Sequence, residues 1–400
     1  MWCVSNPVDG ARKRGARALL SLFSLFAPAV AVAHDSTIAA TLAAGGKGAL
    51  AAAAGIDAQN SGSVRVPLPR SPAPSFHVKL SAPISRPPVG DAQGRLVVAH
   101  GAGKLSQLGP EGRLEWSARV GPDSEASAPV IARDETRWLI TQAGEAVGFA
   151  PAGRELYRES VPGLTESRDV ELIPLEAGGL ALSSARQLAE LDRRGKLRWL
   201  AQAKEPLVVV LEAGGTLIGV TSSGQVLRRD AEGNLVSVAE LGGRVTSASI
   251  APDQRRLLAI VDPGALVELN IATGLRRTLF SETVLPLTSF SVGTRGELRL
   301  LASGRLIAFD ARGQESFRAL VSGGPAPMSN TGPLPLVDSS GFTAVNLPDT
   351  GLLLVAANGE VQAVSGSACS EPLRPTPVGS RKLALSCRSG LVFGLSDRAP

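Results

Sequence analysis

The stretch ARQLAELDRRGKLRW (185–199) decides the fold of this chain, because it returns in altered form about every 40 residues. It consists of a turn, a strand of alternating apolar residues, a second turn that ends in Gly, and another strand. Further copies are AGKLSQLGPEGRLEW (102–116), AGEAVGFAPAGRELY (143–157), SGQVLRRDAEGNLVS (223–237) and SGRLIAFDARGQESF (303–317). A fixed period of this length predicts a repeat architecture.

The glycines of the first turn count the copies. They stand at Gly103, Gly144, Gly224, Gly264, Gly304, Gly351 and Gly390, at intervals of 41, 80, 40, 40, 47 and 39 residues. The interval of 80 covers two copies, because Arg186 stands where the other copies have Gly. The spacing therefore predicts eight units. A ring of seven units with one irregular copy is the alternative, because one interval has 47 residues.

Each unit is predicted to contain four short strands. In the second unit they are 128–132, 137–142, 145–150 and 154–160, with Gly at the tight turns between strands. Four antiparallel strands every 40 or so residues are typical of a β-propeller. The last copy (381–397) has no outer strand after it, whereas 75–89 has the pattern of an outer strand. We therefore expect an all-β fold, an eight-bladed β-propeller of four-stranded antiparallel blades, with the ring closed by the N-terminal strand.

The N-terminal 33 residues have the pattern of a secretory signal peptide. A basic stretch (11–17) precedes an apolar run (18–33) that ends in Ala31-Val32-Ala33, so we expect export to the periplasm or the medium with cleavage after Ala33. Pro28 interrupts this run, and no retained membrane span is predicted. An Ala/Gly- and Pro-rich flexible linker is expected over 34–73, and the propeller over 74–400.

Charge and cysteine content limit the function classes. The leader carries three of the five net positive charges, and the remaining +2 is too small for a nucleic-acid-binding face. Cleavage of the leader removes Cys3 and leaves Cys369 and Cys387, which are expected to form a disulfide in an oxidising compartment; two unrelated buried thiols are the alternative. Two Cys without nearby His do not suffice for a metal site, and none is predicted.

The repeated phrase resembles the PQQ-like β-propeller repeat, a family that includes quinoprotein dehydrogenases and BamB-like assembly factors. The resemblance rests on a pattern of two apolar residues, Asp, Gly and Trp; one copy has it in full at Leu188, Leu191, Asp192, Gly195 and Trp199. The dehydrogenases of this family carry a vicinal Cys pair and a Trp that stacks on the quinone. This chain has no adjacent Cys residues, and we expect Trp116 and Trp199 to pack between blades. No cofactor is therefore predicted.

A search for catalytic motifs gives no assignment. The chain has no G-x-S-x-G elbow, P-loop or H-E-x-x-H, and His34, His77 and His100 are its only histidines. The acidic residues Glu171 and Glu176 are expected in turns. We therefore predict no catalytic, cofactor-binding or metal-binding residues.

The expected function follows from the leader, the repeat and the lack of a catalytic motif. We expect an exported, monomeric, non-enzymatic scaffold or binding module, whose propeller-face loops contact a protein or cell-envelope partner. The alternative is an enzyme on a propeller face, either a hydrolase or lyase or a degenerate quinoprotein.

Overall fold

The fold was analysed in a computed structural model, which describes residues 49–51, 57, 59–101, 103–121, 127–164, 170–281, 287–321, 335–347, 350–364 and 371–398. These residues form eight antiparallel sheets, the blades of a β-propeller, and the predicted fold class is confirmed. Three strands precede the first blade: β1 Ala49–Ala51, β2 Ser63–Val64 and β3 Pro72–Lys79.

Seven blades take their four strands consecutively from the chain. Blades 1 to 4 contain β4 Val89–Asp91, β5 Leu96–His100, β6 Lys104–Leu108 and β7 Leu114–Arg119; β8 Val130–Ile131, β9 Arg137–Ile140, β10 Glu145–Phe149 and β11 Glu155–Ser160; β12 Val170–Pro174, β13 Leu180–Ser184, β14 Gln187–Leu191 and β15 Leu197–Gln202; β16 Leu207–Ala213, β17 Thr216–Thr221, β18 Gln225–Arg229 and β19 Leu235–Glu240. Blades 5 to 7 contain β20 Val245–Ile250, β21 Arg256–Val261, β22 Ala265–Asn270 and β23 Arg276–Ser281; β24 Leu287–Val292, β25 Leu298–Ala302, β26 Arg305–Phe309 and β27 Glu315–Leu320; β28 Leu336–Asp338, β29 Thr343–Leu347, β30 Gly351–Val355 and β31 Val361–Ala363.

Blade 8 closes the ring with strands from both ends of the chain. It contains β32 Thr376–Pro377, β33 Lys382–Ser386 and β34 Leu391–Asp397, and its outer strand is β3. The pairing is antiparallel, with His77 opposite Phe393 and Lys79 opposite Leu391. The predicted closure by the N-terminal strand is therefore confirmed.

The core consists of eight buried apolar clusters, one at each junction between neighbouring blades. Strand β5 shows why its sequence LVVAH is apolar almost throughout. Leu96 and Val98 face the junction with blade 8, whereas Val97 and Ala99 face the junction with blade 2. Successive side chains of a strand point to opposite faces, so a strand between two neighbouring blades needs apolar residues at every position.

The ring has two different faces. The innermost strand of each blade runs from the face that carries the inter-blade segments to the face that carries the turn after that strand. We call these the crossover face and the turn face. On the turn face lie, for example, the turn between β8 and β9 and the turn between β12 and β13.

Candidate functional site

The end of the central channel at the turn face is crossed by the chain itself. We call residues 59–71 the channel segment. Three backbone N–H groups of innermost strands donate hydrogen bonds to its carbonyl oxygens: Ile250 to Gln59 at 3.0 Å, Val292 to Ser61 at 2.8 Å, and Val337 to Gly62 at 3.0 Å. Strand β2 also pairs in parallel with β28. The segment thus satisfies inner strand edges, which the four-stranded blades leave unpaired.

The start of the channel segment is held by a compact turn. The Asp57 carboxylate accepts hydrogen bonds from the backbone N–H groups of Gln59 at 3.1 Å and Ser61 at 2.9 Å, and from the Ser61 hydroxyl. Burial raises the pKa of Asp57, and the hydrogen bonds with Ser61 and Gln59 oppose that rise. The Asn60 side chain donates to the Ala248 carbonyl at 2.9 Å. This turn fixes the segment against blade 5.

The end of the channel segment is held by an ion pair. Arg70 Nη2 lies 2.7 Å from Asp338 Oδ2, and the Asp338 side chain is fully buried. The same carboxylate oxygen accepts a hydrogen bond from the Leu68 N–H at 3.1 Å. The Arg70 guanidinium also lies 3.8 Å from the centre of the Phe342 ring. These contacts fix the segment to blade 7 before it enters β3.

The flexible linker expected over 34–73 therefore needs a correction. Within that range, residues 59–73 pack into the ring, and Val64 and Leu68 are fully buried. Strand β1 also falls in the range and pairs with β4. The physical reason is that the channel offers unpaired strand edges, to which even a proline-rich chain can bond through its carbonyl oxygens.

Two carboxyl groups, one half-buried and one buried, lie on neighbouring innermost strands. Glu171 is in β12, not in a turn as expected from the sequence, and Glu212 is in β16. Burial raises the pKa of each to about 7. Glu171 accepts a hydrogen bond from the Val210 N–H at 3.3 Å, and Glu212 accepts one from the Glu176 N–H at 2.8 Å. Both groups can therefore take up a proton near neutral pH.

A half-buried cation accompanies this pair of acids. Arg374 stands just before β32, and its burial lowers its pKa to about 10. The charge of Glu171 opposes that fall, and Arg374 in turn lowers the pKa of Glu171. Glu171 and Arg374 each remain partly accessible to water. Charged groups with shifted pKa values in such a place are candidates for function.

A cleft of about 230 Å³ opens on the turn face between blades 2 and 3. Its lining residues are Ala132, Arg133, Asp134, Trp138, Gly178, Gly179 and Arg193. Two guanidinium groups converge on one turn here: Arg133 Nη1 donates to the Glu176 carbonyl at 2.6 Å, and Arg193 Nη2 donates to the Ala177 carbonyl at 2.8 Å. The cleft therefore presents two cations at its rim.

Trp138 forms the apolar wall of this cleft. Its side chain is 1% exposed and stacks on Tyr157, with ring centres 5.6 Å apart and planes 6° apart. A Cβ atom on Gly148 or on Gly195 would lie 2.8 Å from the Trp138 ring, so glycine is needed at both positions. Trp138 is fixed by packing, and the wall is rigid.

The residues singled out in the sequence have separate places in the fold. His77 is in β3 and His100 in β5, where His100 Nε2 hydrogen-bonds the Ser106 hydroxyl at 2.8 Å. Cys387 is fully buried after β33, whereas Cys369 and His34 lie outside the described residues, so the disulfide stays a prediction. The ranges described include no group of three His, Cys, Asp or Glu that could hold a metal ion. They also include no helix able to cross a membrane.

Sequence reasoning missed the residues that define the cleft and the channel. Arg133 and Arg193 stand in ordinary polar turns, and only the fold brings them together. Glu171 had a detectable signal, because it interrupts the apolar run VELIPL (170–175), although we expected it in a turn from the sequence. A charge inside such a run indicates a special environment.

Comparisons with known proteins identify the fold alone. No family model and no curated protein matches the chain. Among solved structures, it is similar to BamB from Moraxella catarrhalis, with 15% identity, a TM-score of 0.58, and coverage of 82% of this chain and 98% of that one. It is also similar to Sqt1 from Saccharomyces cerevisiae, with 10% identity, a TM-score of 0.65 and coverage of 82% and 100%. A third similar structure is the computationally designed Ika8 protein, with 11% identity, a TM-score of 0.65 and coverage of 80% and 98%.

Proposed function

We propose that this protein is an exported, non-enzymatic β-propeller that acts as a binding or scaffold module for a protein or cell-envelope partner. The partner docks on the turn face, in the cleft between blades 2 and 3. The observation that carries the proposal is the convergence of Arg133 and Arg193 on the carbonyls of one turn, beside the rigid wall of Trp138.

The chemistry of the cleft indicates the kind of group that it binds. A guanidinium has five N–H donors, and the turn carbonyls take one from each arginine. The remaining donors suit carboxylates, which arginine binds in a bidentate manner. Asp134 at the rim disfavours a second acidic group close to it. The partner therefore presents a single carboxylate to the two arginines.

A pull-down from a cell-envelope extract of the source organism tests the binding site. The wild-type protein is expected to capture a reproducible partner, which Arg133→Ala/Arg193→Ala loses. Arg194→Ala is the matched control, because Arg194 is an exposed neighbour that does not line the cleft. A partner that the double variant retains, or no reproducible partner, would contradict the proposal.

Export is tested separately, by sequencing the N-terminus of the protein recovered from the periplasm or the medium. The signal pattern leads us to expect a mature chain that starts at His34. Recovery of the full-length chain from the cytosol alone would contradict export.

A second candidate function is an enzyme that uses the channel. It is favoured by Glu171, a carboxyl group with a pKa of about 7 that lies near the cation of Arg374. A carboxyl group with such a pKa can donate and accept a proton at neutral pH. Hydrolysis of envelope glycans by the purified protein, lost in Glu171→Gln and kept in Glu232→Gln, would favour this candidate over the binding module.

A further inference from the structure

Aromatic side chains fill several junctions between blades in the same way. Trp116 of blade 1 packs against Gly153 of blade 2, and Trp199 of blade 3 packs against Gly233 of blade 4. A Cβ atom on these glycines would lie 2.6 Å and 2.5 Å from the indole rings. Each Trp stands four positions after the turn glycine of its own blade, and we call this place the ring position.

The junction between blades 4 and 5 has serine in place of the ring. Its ring position is Ser237, which is exposed. Among the residues that the structure describes, a Cβ atom on the facing Gly274 would meet only the Ala239 Cβ, at 4.0 Å. Ala239 and Ile271 are partly buried and pack against the apolar cluster of this junction. The place of the ring is therefore open and has an apolar floor, and we call it the recess.

A guanidinium faces the recess. Ala239 faces blade 5, and alternate residues of a strand share a face, so Ser237 also faces blade 5. Arg228 of β18 lies directly opposite Ser237, which places both side chains on this face. Arg228 Nε is buried and has no hydrogen-bond partner within the described part of the chain. Buried polar groups in native proteins are normally hydrogen-bonded, so this N–H is available to a bound acceptor.

Side chains at the position of Arg228 reach the ring in other blades. In blade 3, Glu190 lies opposite Trp199, and its Oε2 accepts a hydrogen bond from the indole N–H at 3.2 Å. In blade 1, Gln107 lies opposite Trp116, and both donate to the Pro151 carbonyl, at 3.1 Å and 2.9 Å. A ring bound in the recess is therefore within reach of Arg228.

An open turn glycine alone does not define such a site. At the junction between blades 5 and 6, a Cβ atom on Gly313 would meet no described residue within 4 Å. The side chain at the position of Arg228 is Glu268 in blade 5, and it is paired: its carboxylate lies 2.8 Å from Arg277 Nε and 3.0 Å from Arg256 Nη1. The unpartnered Arg228 Nε distinguishes the junction between blades 4 and 5.

We propose that the recess is a binding site for an aromatic carboxylate. The aromatic ring of the ligand lies against Gly274, as the indole rings lie against glycines at the other junctions, and its carboxylate accepts hydrogen bonds from Arg228. Guanidinium groups bind carboxylates in a bidentate manner. The site lies apart from the cleft between blades 2 and 3 and does not depend on the function proposed for that cleft.

The rim of the recess also favours an apolar ligand. Leu275 follows Gly274, and its side chain is 73% exposed. Other copies of the repeat have polar residues directly after the turn glycine: Arg113, Arg154, Lys196, Asn234, Gln314 and Glu360. An exposed leucine at this place adds apolar surface beside the recess, which contact with an aromatic ring would remove from water.

Isothermal titration calorimetry with indole-3-acetate tests the site. The wild-type protein is expected to bind one molecule, and indole and acetate alone should each bind at least about tenfold more weakly. Arg228→Gln should raise the dissociation constant for indole-3-acetate at least about tenfold. Arg255→Gln is the control, because it makes the same substitution at an exposed arginine of blade 5. No binding by the wild type at millimolar concentration, or binding that Arg228→Gln leaves unchanged, would overturn the proposal.

Substitutions at Ser237 test where the ring lies. Ser237→Trp restores the residue that blades 1 and 3 have at the ring position, so its own indole should fill the recess and abolish binding. Ser237→Ala leaves the recess open and should bind like the wild type. A Ser237→Trp variant that binds indole-3-acetate as tightly as the wild type would overturn the location. A thermal unfolding curve for each variant shows that it is folded.

The peptide Gly-Gly-Trp with a free C-terminus distinguishes two sources of the same chemistry. It carries a ring and a carboxylate on its last residue. Tighter binding of this peptide than of indole-3-acetate would identify the C-terminal residue of a protein as the ligand. Weaker binding would identify a free aromatic acid. If neither compound binds, the recess is not a site for aromatic carboxylates.

Discussion

Trp116 of blade 1 packs against Gly153 of blade 2, so closely that a Cβ atom on this glycine would lie 2.6 Å from the indole ring. The indole N–H donates a hydrogen bond to the Pro151 carbonyl at 2.9 Å. The same joint recurs between Trp199 and Gly233, Phe317 and Gly359, and Phe76 and Gly112. The copy 102–116 therefore contains both halves of the joint: Gly112 receives the Phe76 ring, and Trp116, four positions later, contacts the next blade.

This joint predicts that Gly153→Ala destabilises the ring more than the equivalent change in another blade. Gly313 is the matched control, because its φ of 80° is close to the 84° of Gly153 but it has open space within 4 Å. Gly313→Ala should lower the free energy of unfolding by about 1–2 kcal/mol, because alanine is strained in a left-handed backbone conformation. Gly153→Ala should cost about 1–3 kcal/mol more, because the added methyl group collides with Trp116. Urea titration measures both free energies of unfolding, and equal values would contradict a close joint.

The seam of the ring gives a second prediction. Phe76, in the N-terminal strand, occupies the joint position against Gly112 and also contacts Gly394 of blade 8. Phe76→Ala should therefore lower the free energy of unfolding by about 2 kcal/mol, less than for a fully buried Phe because the ring is half-buried. Phe317→Ala, at an interior joint, is the comparison. A similar loss in both variants is expected, and no loss in Phe76→Ala would mean that β3 does not close the ring.

The architecture could be predicted from the sequence because its determinants are local and repeated. Gly195 and Trp199 stand four residues apart in one copy. Other copies keep the Gly and have Trp, Tyr, Phe or Ser four positions later. Closure by the N-terminal strand could be predicted because 75–89 has the pattern of an outer strand. Eight copies of one pattern allowed such an inference even where a single copy was ambiguous.

The channel segment and the cleft could not be predicted, because they depend on contacts distant in sequence. Arg70 and Asp338 are 268 residues apart, and neither belongs to the repeated phrase. The segment bonds to the ring mainly through backbone carbonyls, which have no sequence pattern. Its prolines, such as Pro67 and Pro69, are typical of a flexible tether, yet they are compatible with a chain that accepts hydrogen bonds and donates few.

The ion pair that holds the channel segment gives a third prediction. Arg70→Met keeps much of the apolar length of the side chain but leaves the buried Asp338 without its cation. We expect a loss of about 2 kcal/mol in the free energy of unfolding, reduced from the cost for a fully buried pair because Arg70 is 36% exposed. Arg65→Met is the control, because Arg65 is exposed in the same segment. It should change stability by less than about 0.5 kcal/mol.

Hydrogen exchange distinguishes release of the segment from a general loss of stability. The backbone N–H groups of Val292 and Val337 donate to the channel segment. In Arg70→Met these two amides should exchange faster, whereas the amide of Leu241, which donates within blade 4, should keep its rate. An equal increase at all three amides would contradict a local role for Arg70.

The raised pKa of Glu212 gives the last prediction, the pH dependence of stability. The pKa of Glu212 is about 7 in the folded protein, whereas the usual value of 4.5 applies to the unfolded chain. Between pH 4.5 and pH 7 the folded protein therefore binds this proton more tightly than the unfolded chain does. Stability from this group is therefore fully present below about pH 4.5 and is lost as pH rises through 7. A shift of this size corresponds to about 3 kcal/mol.

Glu212→Gln removes this titration but keeps an oxygen that can accept the hydrogen bond of the Glu176 N–H. Between about pH 4 and pH 8, the free energy of unfolding should fall by about 3 kcal/mol less in the variant than in the wild type. The variant should therefore be the more stable protein at about pH 8. Glu232→Gln is the control, because it makes the same substitution at an exposed glutamate. Urea titrations at several pH values measure the difference. Parallel curves for Glu212→Gln and the wild type would mean that Glu212 is ionised in the folded ring at neutral pH.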